Sequence, residues 1–171
     1  MKEVLKYGLI LSAICLIASG LLAGVYSFTK PQIDKQAQNE INEALTQVVP
    51  QANRFEPVQS TDEILYYRGY DKNNKLAGFV FKAQAKGYSS TIETLVGVSL
   101  QKKIIAIKVI AQNETPGLGS RVTEKTFIQQ FANKNVNELS NVSAISGATI
   151  SSSAVIASVK EKLEKIQNIL K

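Results

Sequence analysis

The sequence predicts an α+β fold behind one membrane-spanning helix: a small antiparallel or mixed sheet with helices packed on it, tethered by its amino terminus. Three observations predict it. An uncharged run of 23 residues, 7–29, opens the chain between Lys6 and Lys30. The middle of the chain changes to alternating, β-rich segments broken by short polar turns. The carboxy-terminal segment returns to helical spacing.

The apolar run comes first. As a helix rising about 1.5 Å per residue it spans about 34 Å, enough to cross a hydrocarbon core of about 30 Å. A cleavable signal peptide is the rival, with an apolar region of about 7–15 residues. Ala18, Gly20, Ala23 and Gly24 offer small residues where cleavage would fall. Tyr26 and Phe28 stand where interfacial aromatics belong. The anchor is expected over residues 1–30. Residues 31–50 are expected as an amphipathic connecting helix, with Ile33, Ala37, Ile41, Ala44 and Leu45 at helical spacing and Pro50 ending it. Residues 51–171 are then one ordinary domain by length.

Within that domain, residues 51–62 read as a connecting segment. Strands are expected at 64–69 and 76–85, joined by the turn cluster Asp71-Lys72-Asn73-Asn74-Lys75. Two more are expected at 91–100 and 104–111, across Gln101-Lys102-Lys103. A loop over 112–120 follows, then a helix over 124–131 that buries Phe127 and Phe131 at i, i+4. A polar link over 133–141 and a short apolar stretch over 142–149 lead to a final helix from about Ser151. Its stripe of Val155, Val159, Leu163, Ile166 and Leu170 is spaced 4, 4, 3 and 4.

Composition narrows the chemistry. There is no histidine, so the usual general base and the commonest transition-metal ligand are missing. Cys15 is the only cysteine and lies in the apolar run, which excludes an intrachain disulfide and a cysteine cluster. Redox or hydrolytic work would therefore fall to a bound organic cofactor. The net charge is +6, but the lysines are scattered and no basic stripe is interleaved with aromatics. No nucleic-acid partner is expected; membrane lipid is. Lys2 and Lys6 before the anchor tie with Lys30 and Lys35 after it, so charge does not set the orientation.

Two segments are rich in residues that do not build cores. Ser146-Gly147-Ala148-Thr149, followed by Ile150-Ser151-Ser152-Ser153, lies just before the final helix. A helix start offers unpaired N–H groups and the positive end of the helix dipole, which suits a phosphate. Gly147 and Ala148 leave the backbone open to a bulky ligand, and Thr149 and the serines supply hydroxyls. The plainer reading is a helix N-cap, and spacing alone favours it. The other segment, Glu114-Thr115-Pro116-Gly117-Leu118-Gly119, is a rigid Pro-Gly loop that reads equally as a simple turn between strand and helix.

Together, and in this order, the two segments are specific. With the anchor and with Gly87-Tyr88-Ser89 after a hairpin, the chain resembles the RnfG/NqrC family of flavin-binding subunits, closest to RnfG, over most of its length. That resemblance implies FMN joined covalently, through its phosphate, to the hydroxyl of Thr149 by a separate flavin transferase. It implies Ser146, Gly147, Ala148 and Ser151 beside the attachment. It also implies Thr115, Pro116, Gly117 and Leu118 walling the ring, with Tyr88 approaching it. No catalytic side chain and no metal ligand is implied on this chain.

The implied role is an electron-carrying subunit of an Rnf-type, ion-translocating ferredoxin:NAD oxidoreductase in the cell membrane. The amino terminus would be cytoplasmic, the FMN-binding domain on the outer face, and the other members of the complex its partners. A stand-alone membrane-anchored flavoprotein and a cofactor-free, pilin-like structural protein are the alternatives. Two positions depart from the family pattern. Ser143 stands where an aspartate is usual, six residues before Thr149, and Gln112 where a histidine is frequent.

Overall fold

The computed structural model describes residues 2–60 and 63–169. The chain falls into two compact units, Met1–Glu40 and Ile41–Lys171. Helix α1, Lys2–Val48, begins in the first and ends in the second, running on through Pro31. Residues 31–48 are therefore helical without interruption from the apolar run. Pro31 removes one backbone donor but does not end the helix.

In the first unit the apolar side chains of α1 are exposed all round, Leu9, Leu16, Leu22 and Phe28 among them. By length and composition α1 can cross a membrane, and none of its most apolar stretch is buried. Three hydroxyls inside this stretch, those of Ser19, Ser27 and Thr29, are satisfied within the helix. Ser19 Oγ donates to the Cys15 carbonyl at 2.7 Å, and Thr29 Oγ1 to that of Val25 at 2.7 Å.

The second unit is built on an antiparallel meander. Strands β1 (Arg54–Ser60), β2 (Glu63–Tyr70), β3 (Leu76–Lys86), β4 (Thr91–Val98) and β5 (Ile104–Ala111) lie in the order β1-β2-β3-β4-β5. Every neighbouring pair is antiparallel, which settles the choice between an antiparallel and a mixed sheet. Strand β1 falls inside the expected connector. It is an edge strand, with Pro57 in it, a bulge at Val58/Gln59 and an exposed Arg54–Glu56 ion pair. Those features blunt an edge and also hide the alternation that marks a strand.

Alternation in the central strands fills two cores. Val80 and Leu95 face one side and pack with Ala44, Leu45 and Val48 at the end of α1 and with Val49 just after it. Phe81, Ala83, Ile92, Val96 and Val98 face the other. Gly97 lets the end of α1 seat on the sheet, because a Cβ there would lie 2.1 Å from the Val48 carbonyl oxygen.

Helix α3, Thr149–Ile169, covers the second face. Val155, Val159, Leu163 and Ile166 are buried as their spacing predicts, each contributing about 2 kcal/mol by removal from water. Leu170 lies outside the described residues. The single helix expected over 124–131 is instead a chain of short turns. A 3-10 turn, Gly119–Thr123, precedes α2, Lys125–Ile128, and another, Gln129–Phe131, follows it. Phe127 and Phe131 are nonetheless both buried and meet edge to face, centroids 5.3 Å apart. One further 3-10 turn, Asn137–Asn141, lies in the expected polar link.

Candidate functional site

The meander brings three things to one end of the sheet: the loop joining β3 to β4, the segment leaving β5, and the start of α3. A cavity of about 400 Å³ opens between them. It is lined by Tyr88, Glu114, Thr115, Leu118, Gly119, Gly147, Ala148, Thr149, Ile150 and Ser151.

Helix α3 starts at Thr149, earlier than the expected Ser151. The Ser152 amide donates to the Ala148 carbonyl at 2.9 Å, so Ala148 caps the helix and Thr149 is its first residue. Ser152 Oγ steadies the approach by accepting from the Ile145 amide at 3.0 Å and donating to the Ala148 carbonyl at 2.8 Å. Gly147 turns the chain with φ +81°, a conformation that favours glycine. The N–H groups of Thr149, Ile150 and Ser151 open the helix and have no partner in the helix ladder. The Thr149 side chain is exposed.

On the other side, Gly117 adopts φ +75° and its amide donates to Ser120 Oγ at 3.0 Å. The amides of Leu118 and Ser120 both donate to the Thr115 carbonyl at 3.2 Å. This closes a tight loop that presents Leu118 to the cavity. Leu118 (50%), Tyr88 (70%) and Ile150 (58%) are large apolar side chains left exposed at its rim.

Of the residues expected at the site, Tyr88, Thr115, Leu118, Gly147, Ala148, Thr149 and Ser151 line the cavity. Pro116, Gly117 and Ser146 stand outside the lining. Pro116 and Gly117 shape the loop, while the Ser146 carbonyl accepts from Arg121 Nη1 at 3.3 Å. Ser143, exposed, is clamped through its backbone. Its amide donates to Gln130 Oε1 at 2.9 Å. Gln112 Oε1 accepts from the Glu114 amide at 2.7 Å.

Glu114 is the residue that sequence reasoning did not place in the site. It is 5% exposed, and its carboxylate joins all three segments. Oε1 accepts from the amides of Ser89 (3.0 Å) and Ser90 (2.8 Å) and from Ser90 Oγ (3.1 Å). Oε2 accepts from the Tyr88 amide (3.1 Å) and Ser151 Oγ (2.5 Å). Burial opposes the charge. The donors from Ser151, Ser90 and Ser89 outweigh it, and the carboxyl is lowered from its ordinary 4.5 to about 2. Gly119 and Ile150, which also line the cavity, were outside the expected set as well. The only sequence signal for Glu114 was its isolation beside a Pro-Gly pair.

Comparison with known proteins fits this architecture. Residues 87–164 match the family model described as FMN-binding domain, and residues 1–48 match the RnfG N-terminal region. The G subunit of the proton-translocating ferredoxin:NAD(+) oxidoreductase complex of Clostridium ljungdahlii is 34% identical, over 91% of this chain and 88% of the relative. The G subunit of the ion-translocating oxidoreductase complex of Methanosarcina acetivorans is 32% identical, over 96% and 95%. Among solved structures, Shewanella oneidensis NqrC shares the fold at TM-score 0.51 and 18% identity, over 71% of this chain and 74% of that one. The C subunit of the Na(+)-translocating NADH-quinone reductase of Parabacteroides distasonis does so at 0.53 and 20%, over 62% of each. A long apolar amino-terminal helix followed by an FMN-binding domain is the class these matches define. The chain belongs to the RnfG family.

Proposed function

We propose that this chain is the electron-carrying G subunit of a membrane-bound, ion-translocating ferredoxin:NAD oxidoreductase, and that it carries FMN joined through its phosphate to Thr149. Relatives named as the G subunit of such complexes, aligned over most of both chains, support the role. The observation that carries the site is the position of Thr149: an exposed hydroxyl on the first residue of α3, at the cavity, within the segment matched as an FMN-binding domain.

The residues present fit that group. FMN, when bound, supplies electron transfer that the side chains of this chain lack. Thr149 Oγ1 is open to esterification by a separate transferase. The free N–H groups and positive end of α3 suit a phosphate. Gly147 keeps the backbone bare beside it, since even a Cβ there would come no closer than 3.7 Å to Leu118 Cδ2. Tyr88, Leu118 and Ile150 offer apolar walls for a ring, and Thr115 a hydroxyl.

In this reading α1 spans the cell membrane with its amino terminus cytoplasmic, and the flavin domain stands on the outer face. Its partners are the other members of the complex, the transferase and membrane lipid.

The test is optical. Protein co-expressed with a flavin transferase should give a yellow-green fluorescent band after denaturation in SDS. Thr149→Val should abolish the band while leaving the thermal melt unchanged. A dark wild-type band beside an active transferase contradicts the flavin reading; a fluorescent Thr149→Val band contradicts the site.

A further inference from the structure

Glu114 is the only charged side chain buried among the described residues, and it forms part of the cavity wall. All five of its hydrogen bonds come from neutral donors. No lysine or arginine among the described residues pairs with it. Two glycines close over it. A Cβ on Gly87 would lie 2.6 Å from Oε1, and one on Gly119 2.7 Å from Oε2. The carboxylate also sits against the first turn of α3 through Ser151, where the helix dipole favours an anion. Neutral donors hold a negative charge in place without cancelling it. The wall is therefore built around a fixed anion, and a neutral acid could not accept the same set of bonds, because one oxygen would itself become a donor.

We infer that Glu114 sets the potential of the pocket's occupant: its fixed negative charge in the wall disfavours reduction there relative to the same wall with a neutral residue. This rests on the reading that the pocket takes FMN. An electron that arrives without a compensating proton adds negative charge to the cavity. A like charge in a poorly solvated wall opposes it, and charge near a flavin ring is one of the protein's means of tuning it. At an effective dielectric of about 20 and a separation of roughly 10 Å, one charge changes such an equilibrium by on the order of tenfold. For one electron, a tenfold change corresponds to about 59 mV.

The test is a spectroelectrochemical titration of the flavinylated full chain, comparing wild type with Glu114→Gln and Ser151→Ala. Glu114→Gln removes the charge and should raise the midpoint potential by about 59 mV, about tenfold in the equilibrium. Ser151→Ala keeps the charge but removes a donor that disperses it, so its potential should fall or hold. Loosening of the pocket alone would move both variants in one direction. An unchanged or lowered potential in Glu114→Gln, or a raised one in Ser151→Ala, overturns the inference. Should Glu114→Gln fail to fold, Ser151→Ala decides alone. The fluorescence of the wild-type band reports separately on whether flavin is bound at all.

Discussion

The two ends of the sheet are held by different means. At one end the turns between β2 and β3 and between β4 and β5 are each closed by short-range bonds. Asp71 Oδ1 accepts from the amides of Asn73 and Lys75 at 2.8 Å, and the Ser99 amide donates to the Lys103 carbonyl at 2.8 Å. Asn74 and Lys102 take the left-handed conformation, φ 61° and 62°, that such turns require. At the other end local bonds, such as that from the Gly87 amide to the Ser90 carbonyl at 2.8 Å, shape each loop, but the contacts between loops are long-range. The β3–β4 loop, the segment after β5 and the start of α3 meet on Glu114, through bonds spanning 24 to 37 residues of sequence. The first arrangement makes turns that fail one at a time. The second makes a pocket whose three parts converge on one side chain, with the Asn113 amide to Ser90 Oγ bond at 2.8 Å as a second link between the loops.

Substitutions at the two ends should therefore differ in size. The largest loss is expected from Gly119→Ala. Its Cβ would meet Glu114 Oε2, Glu114 Cβ and Ser151 Oγ within 2.8 Å, so overpacking adds to the lost carboxylate bonds, about 4 kcal/mol together. A melt within about 1 kcal/mol of wild type would show that the carboxylate can move at little cost.

Glu114→Ala should follow at about 3 kcal/mol, because it strands the amides of Tyr88, Ser89 and Ser90. Its pH dependence has a definite sign. The folded carboxyl lies at about 2 against an ordinary 4.5, so between those values the unfolded chain binds more protons. The stabilisation is complete above about pH 4.5 and is lost as pH falls toward about 2. Urea titrations of wild type and Glu114→Gln should converge over that window; parallel curves would remove Glu114 from the account.

Asp71→Ala, in a turn closed by short-range bonds, should cost only about 1 kcal/mol and leave flavin attachment unchanged. A loss as large as that of Glu114→Ala would erase the contrast between the ends.

The same contrast explains what could be read from the sequence. Strands β2 to β5 and the stripe of α3 were legible because alternation and 3–4 spacing are local signals. The turn at Asp71–Lys75 was legible for the same reason. Strand β1 was not, since an edge strand carrying Pro57 shows little alternation. Thr149, Gly147, Leu118 and Tyr88 were singled out through their motifs, and the structure gathers them around one cavity. The role of Glu114 was not, because its partners Ser90 and Ser151 lie 24 and 37 residues away. The helix expected over 124–131 was read from Phe127 and Phe131, whose burial is real but is delivered by short turns.

The most direct test of the central claim is the intact and peptide mass of the chain purified with an active flavin transferase. A flavin esterified to Thr149 predicts a gain equal to FMN less one water, carried by the peptide that contains Thr149 and absent from Thr149→Val. A chain of unmodified mass, or the same gain on a peptide that lacks Thr149, would contradict it.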